Sequence, residues 1–364
     1  MVHNALEEFF TKEDNRKMIR QILEFPLLIS RGISDSVQYV ERYRLEDVAD
    51  GLRKRDYIAI AWFGMGASAL IGEYIANYLQ NSPTTNRCVI VDVYRSVPSL
   101  TPCRRAYDIY VFYSYSGNTL ETLKALDVIT KQCGGVPKNS LMLVFSVGGK
   151  IEKMAREKMV PHIKLVEGFA SRSHFPYGLA LAFSLISQII GLKQSLEDLR
   201  NIKLSKYVES LSDEDMCRSI SDLAGRIKGR TAIIVAESIL TPVAKRFIAQ
   251  FNENAKHFAV YFELPEGAHN FIVGLREIGR GDIFNIVLRR ESEDSFMRRY
   301  IDIVKEKISH LGFYEFLIPD GGRFSWRTLL IPTIFADILS VFLAEIKGLS
   351  AFDIKEITAI KSEL

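Results

Sequence analysis

The sequence predicts an α/β protein built from two doubly wound parallel sheets. Three observations carry this. Short apolar runs rich in β-branched and aromatic residues alternate with segments of helical periodicity. The alternation occurs twice, on either side of a charged stretch. The 364 residues are enough for two domains, each with a core of its own.

Taken in order, residues 1–55 read as helical and charged, with apolar patches such as Met18-Ile19-Arg20-Gln21-Ile22-Leu23. Strands are then predicted over residues 57–63, 88–93, 108–113, 141–146 and 162–166, with helices such as 69–79 and 120–130 between them. Residues 193–228 change character and read as a connection. Strands resume over 231–237, 257–262, 283–288 and 312–318, with helices over 243–252, 295–311 and 329–347. The repeat is one of pattern and not of residues. It sets the expected domains at 1–193 and 194–364.

Composition excludes some classes. Hydrophobic content of 48% and charged content of 25% suit a soluble globular chain. The 47 basic and 44 acidic residues leave a net charge of +3, too balanced to argue for nucleic acid or an anionic membrane as partner. Cys88, Cys103, Cys133 and Cys217 lie far apart without zinc spacing, and the six histidines show no metal motif, so no metal is expected, and nothing in the composition calls for a cofactor. With no signal-peptide pattern in residues 1–8, the cytoplasm is the expected location. Residues 178–192 are too short to span a bilayer, and residues 329–346 carry Pro332, Asp337 and Glu345. Both are expected to be buried core helices.

Ser114-Tyr115-Ser116-Gly117-Asn118-Thr119 lies between a predicted strand and a predicted helix. Free amides and the positive end of a helix dipole meet there, and Ser114, Ser116 and Thr119 add hydroxyl donors, a combination that suits a phosphate. Asn118 is placed to cap the following helix, with Glu121 completing a capping box. An ordinary capped turn is the plain alternative. Gly64-Met65-Gly66-Ala67-Ser68-Ala69 fits G-x-G-x-x-A, and Asp92 is a candidate ribose acid, so a nicotinamide or flavin enzyme stays open, as does a tight structural turn. Both loops follow strands and are expected on one sheet edge, where one phosphate would fit between Gly66, Ala67 and Ser68 on one side and Ser114, Ser116 and Thr119 on the other. Further on, Asn252-Glu253-Asn254-Ala255-Lys256 comes off the end of the predicted helix, followed by Leu264-Pro265-Glu266-Gly267-Ala268-His269-Asn270. Glu253 and His269 form a candidate acid–base pair. Alone, a Glu at a helix end is usually solvated and a single His usually structural.

These motifs occur in an order that resembles the bifunctional phosphoglucose/phosphomannose isomerases, which are built from two sugar-isomerase (SIS) domains. Phe145-Ser146-Val147-Gly148-Gly149-Lys150 belongs to the same series. The resemblance implies flavodoxin-like αβα domains, a hexose 6-phosphate substrate and a homodimer. It implies that Ser68, Ser114, Ser116 and Thr119 hold the phosphate, with Arg172 near the reacting carbons. Glu253 would move a proton between C2 and C1, His269 would open the ring from the partner subunit, and Lys361 would assist near the ring oxygen. Three departures stand out. Ala67 and Ala69 replace glycines, Phe352 stands near the place of a threonine, and Ser171-Arg172-Ser173-His174-Phe175-Pro176-Tyr177 replaces P-R-A-A-L-G-Y. The expected reaction is interconversion of glucose 6-phosphate, and with it mannose 6-phosphate, with fructose 6-phosphate through a cis-enediol. A non-catalytic sugar-phosphate-binding protein is the alternative that the departures motivate.

Overall fold

The computed structural model describes residues 6–363, apart from residues 86, 97–106, 133–134, 136–138 and 280, and the side chains of residues 361 and 362. The chain divides into two compact units, Phe25–Ile202 and Met1–Glu24 with Lys203–Leu364. This differs from the expected 1–193 and 194–364, and side chains at both seams give the reason. Helix α1 (Glu13–Leu23) joins the second unit because buried Asn15 donates to Glu345 Oε2 at 2.7 Å and to Leu349 O at 3.0 Å, while its Oδ1 accepts from Ala351 N at 2.8 Å. Residues 193–200 stay with the first unit through Asp198, which accepts from the Tyr78 hydroxyl at 2.9 Å.

In the first unit, α2 (Phe25–Arg42) and α3 (Glu46–Arg53) precede β1 (Tyr57–Phe63), α4 (Ala67–Asn81), β2 (Cys88–Tyr94) and β3 (Ile109–Tyr113). Then come α5 (Leu120–Gln132), β4 (Leu141–Ser146), α6 (Gly149–Glu157), β5 (His162–Lys164), α7 (Phe175–Ile190) and α8 (Lys193–Arg200). The strands form one parallel sheet in the order β2-β1-β3-β4-β5. Strands β3 and β4 are buried throughout, as expected when helices cover both faces of a parallel sheet. One face packs Ala61, Phe63, Phe112 and Val144 against Leu126 and Ile129 of α5 and Ile151 of α6. Helix α7 is almost wholly buried. Pro176 opens its first turn and Gly191, at φ 80°, ends it. It lies against α2, where Gly32 leaves no room for a side chain: a Cβ there would meet Tyr177 O at 2.6 Å and Leu181 N at 2.8 Å.

In the second unit, α9 (Leu204–Leu211) and α10 (Glu214–Ile227) occupy what the sequence presented as a connection. They precede β6 (Thr231–Glu237), α11 (Thr241–Ala255), β7 (Ala259–Leu264), the short α12 (Phe271–Gly274), β8 (Ile283–Arg290), α13 (Ser295–Ile308), β9 (Phe313–Ile318), α14 (Trp326–Ile346) and α15 (Lys355–Glu363). The parallel sheet runs β7-β6-β8-β9. Helix α14 is long and apolar enough to cross a membrane by length and composition, yet it is buried at Trp326 and from Thr328 to Ala344 among α1, α10, α11 and β9. Ser325 and Thr328 close a capping box at its start.

Gly32 and Gly51 make a matched test of these contacts. Gly32→Ala forces the α2–α7 backbones apart and is expected to lower stability by about 1–3 kcal/mol. At Gly51, in α3, an added Cβ would meet nothing within 4 Å, so Gly51→Ala is expected to raise stability by about 0.5–1 kcal/mol. Urea unfolding of both variants measures the difference.

Candidate active site

Strands β1 and β3 are parallel neighbours with Phe63 opposite Phe112, so residues 64–68 and 114–119 emerge side by side at the carboxyl edge. This is the point where the strand order changes direction, the usual ligand crevice of a doubly wound sheet. Gly66, at φ 52° and ψ −127°, turns the chain into α4, a conformation that a side chain at this position would resist. Trp62 Nε1 donates to Ser68 O at 2.9 Å and holds the start of α4 on β1. Ala67 is half-buried and Ser68 is buried, while Gly66 is exposed at the rim. Gly64 and Met65 share a narrow cleft with Arg95, Glu121 and Thr122, which brings the two loops together.

The 114–119 loop is closed on itself and on its neighbour. Ser114 Oγ donates to Thr119 Oγ1 at 2.9 Å, and Gly117 N donates to Ser114 O at 3.0 Å. Gly117, at φ 69°, sits against Gly148 O so closely that a Cβ would overlap it. Val147 N donates to Tyr115 O at 2.9 Å and Ile151 N to Gly117 O at 3.0 Å. Asn118 does not cap α5 as the sequence suggested. Its Oδ1 accepts from Lys150 N at 3.1 Å, in the first turn of α6, whose own cap position is the side-chainless Gly148. The amides of Leu120, Glu121 and Thr122 at the start of α5 meet no protein acceptor among the described residues. Thr122 Oγ1 is buried without a partner beside them. Positive dipole, unclaimed donors and the exposed hydroxyl-bearing Ser116 therefore converge on one point.

The second sheet supplies an internal comparison. By strand order, β6 and β8 correspond to β1 and β3. There the helix after the second strand, α13, is capped by its own Asp294, which accepts from Met297 N at 2.8 Å. Arg290 at the end of β8 is paired with Glu237 at the end of β6. Carboxylates of the chain fill the place that the first sheet leaves open.

Arg172 is buried in the turn before α7, where Ser173 N and His174 N both donate to Ala170 O at 3.0 Å. Tyr115 links this turn to the 114–119 loop: its hydroxyl donates to Phe169 O at 3.0 Å and its ring lies 4.5 Å from that of His174. His174 is fully buried with Nε2 unpartnered, and burial pushes its pKa down to about 3. Asp92, the candidate ribose acid, accepts from the Tyr107 hydroxyl at 2.6 Å, so the acid that a dinucleotide site needs is engaged by the protein.

In the second unit, Glu253 is half-buried in the last turn of α11, which runs past the predicted end at residue 252 to Ala255. Lys256, at φ 45°, ends the helix, and His257 N donates back to Phe251 O at 3.0 Å, which delays the strand to Ala259. His269 is exposed in the turn Glu266–His269 beyond the far end of β7. Glu253 precedes that strand and His269 follows it, so the six residues of β7 hold them on the order of 17 Å apart within one chain. Half-buried Phe352 lies under the Lys17 ammonium, 5.4 Å from its ring centre. The Lys361 side chain lies outside the described residues. Sequence reasoning missed the Asn118–α6 cap and the Tyr115–His174 contact. The first had a signal: Gly148-Gly149 opens a helical pattern with no capping side chain of its own.

A family model described as the bacterial phospho-glucose isomerase C-terminal SIS domain matches residues 218–364. The bifunctional phosphoglucose/phosphomannose isomerase of Aquifex aeolicus is 27% identical over 329 residues, covering 90% of this chain and 96% of that protein. The chain is similar to the bifunctional phosphoglucose/phosphomannose isomerases over most of its length. A second relative, the D-glucosamine-6-phosphate 4-epimerase of Sulfolobus acidocaldarius, is 33% identical over 215 residues, 58% of this chain and 62% of that protein. Among solved structures, tagatose-6-phosphate ketose/aldose isomerase from Escherichia coli shares the two-domain SIS fold, with a TM-score of 0.64, 15% identity and coverage of 94% of this chain and 95% of that one. His174 falls in a run where this chain departs from the family pattern, and the structure gives the substitution a measurable signature.

That signature is in the pH dependence of stability. The ordinary histidine pKa of 6.5 falls to about 3 on folding, so between those values the unfolded chain binds a proton that the folded chain refuses. The contribution of His174 is complete above pH 6.5 and is lost as pH falls through the window. Wild-type stability is expected to drop between pH 6.5 and 4 by up to about 1.4 kcal/mol per pH unit from this residue. Urea unfolding at several pH values should show His174→Gln losing that slope; an unchanged slope contradicts it.

Proposed function

We propose that this isomerase interconverts glucose 6-phosphate and fructose 6-phosphate, and mannose 6-phosphate with them, through a cis-enediol. The observation that carries the reading is the open start of α5, where three amides, a buried threonine hydroxyl and the 114–119 loop await an anion. On this reading Ser68, Ser114, Ser116 and Thr119 cradle the phosphate, with Gly66 and Ala67 lending backbone. Anchoring that end leaves C1 and C2 fixed, which is where positioning lowers the barrier. Glu253 takes the C2 proton and returns it at C1 on the same face. Because the open chain rotates about C2–C3, epimers at C2 share the intermediate. Arg172 balances the charge that develops on the carbonyl oxygen, and Lys361 assists near the ring oxygen.

The separation of Glu253 and His269 along β7 supports a homodimer in which His269 opens the ring from the partner chain. One hexose cannot reach both groups of a single chain across that distance. The cysteines Cys88 and Cys217 are free thiols, which suits a reducing cytoplasm. A second reading, inversion at C4 of an amino-hexose phosphate, is favoured by the identity to the Sulfolobus epimerase. Glucosamine 6-phosphate distinguishes it, since the isomerase leaves C4 untouched.

Two variants test the proposal together. Glu253→Gln is expected to lower kcat on fructose 6-phosphate by about 10²–10⁴-fold. His269→Ala should also be slow. Co-refolding the two inactive variants is expected to restore up to about a quarter of wild-type activity, because half of the dimers pair an intact Glu253 with an intact His269 across the interface. Full activity in Glu253→Gln removes the base assignment; no restoration on mixing removes the shared site.

A further inference from the structure

We infer that the buried Arg246–Asp337 pair is a positioning device for Glu253, and this rests on the reading of Glu253 as the base. Arg246 and Asp337 are each about 1% exposed, deep between α11 and α14. Arg246 Nε donates to Asp337 Oδ1 at 2.9 Å and Nη2 to Oδ2 at 2.7 Å, a two-pronged contact that fixes orientation as well as distance. Gln250 Nε2 adds a third bond to Asp337 Oδ1 at 2.8 Å. One turn further, Asn254 Nδ2 donates to Ser340 Oγ at 2.8 Å, and Ser340 Oγ donates to Asp337 O at 2.6 Å.

The spacing explains what these bonds set. Arg246, Gln250 and Glu253 fall at i, i+4 and i+7, on one line along α11. Rotating or sliding the helix moves Glu253 by the same amount as it moves Arg246 and Gln250, and the planar guanidinium–carboxylate contact permits neither. The far end is held as well. Lys347 Nζ donates to Ala255 O at 2.7 Å and Lys256 O at 2.8 Å, while Lys256 Nζ donates to Ser350 O at 2.6 Å. Glu253 therefore sits between two fixed points on a helix whose last turn ends in a left-handed lysine.

Stability alone does not account for this seam. Removing two ions from water costs about as much as their attraction returns, and apolar replacements of such pairs are commonly neutral or stabilising. The seam also leaves Gln250 Oε1 buried without a partner, a penalty that an apolar side chain would avoid. What a hydrocarbon seam lacks is a unique register.

The test is Arg246→Met/Asp337→Leu, with Glu253→Gln assayed in the same series on fructose 6-phosphate. The double variant should melt at or above the wild-type temperature. Its kcat should fall about 10²-fold while KM stays within about threefold, because misplacement of the base leaves phosphate binding intact. A folded double variant with wild-type kcat overturns the inference, as does a loss carried by KM. Activity retained in Glu253→Gln removes the base assignment instead, which separates the two failures. Should the double variant not fold, Gln250→Leu keeps the ion pair and removes one tether; kcat should fall about tenfold at constant KM, and wild-type kcat overturns the inference.

Discussion

The hydrogen bond from Lys150 N to Asn118 Oδ1 is the contact from which the candidate phosphate site follows. A helix that starts at Gly148-Gly149 has no side chain of its own to meet its first amides. The preceding loop meets them instead, with Asn118 on Lys150 N and Gly117 O on Ile151 N. Two consequences arise from this one arrangement. The 114–119 loop is braced from behind by another helix, so its hydroxyls are held before any ligand arrives. The residue that would otherwise cap α5 is engaged elsewhere, and the amides of Leu120–Thr122 are left without a protein acceptor among the described residues. Preorganised donors of this kind do not have to reorganise when an anion binds, which is the source of their strength.

The two sheets show the same topology with opposite solutions at the same edge. Asp294 and the Glu237–Arg290 pair make the second edge electrostatically complete. The first edge, with Gly66, Ser68 and the 114–119 loop, leaves the first amides of α5 without a protein acceptor among the described residues. In the second unit the candidate residues lie elsewhere: Glu253 at the end of a helix packed on α14, and His269 in a turn beyond an edge strand. The division of labour is one of physical type. One unit offers hydroxyls and amides, the donors that the proposal assigns to the phosphate, and the other offers the carboxylate and imidazole that it assigns to proton transfer.

Most of the sheet architecture was legible because a strand buried on both faces has few sequence alternatives. Residues 57–63, 141–146 and 231–237 are such runs, and the structure has strands with those limits. Where the reading failed, a tertiary contact had overridden a local signal. Asn118 looks like the cap of the helix that follows it, and only the neighbouring loop shows that a second helix needs it more. Helix α11 runs on to Ala255, where Lys347 Nζ, far along the chain, donates to the carbonyls of Ala255 and Lys256. The N-terminal helix joins the second unit through buried Asn15, a residue whose local sequence carries no sign of that role. The candidate site residues are proposed from their types and order, whereas the contacts around them, Tyr115 with Phe169 and Arg246 with Asp337, needed coordinates.

A crystal structure of the protein soaked with fructose 6-phosphate tests the central claim most directly. The phosphate is expected within hydrogen-bond distance of the amides of Leu120–Thr122 and the hydroxyls of Ser116 and Thr119, about 2.7–3.2 Å from donor to oxygen. The C1–C2 end is expected against Glu253 of one chain and His269 of another. A phosphate bound elsewhere, with the start of α5 facing only solvent, would contradict it.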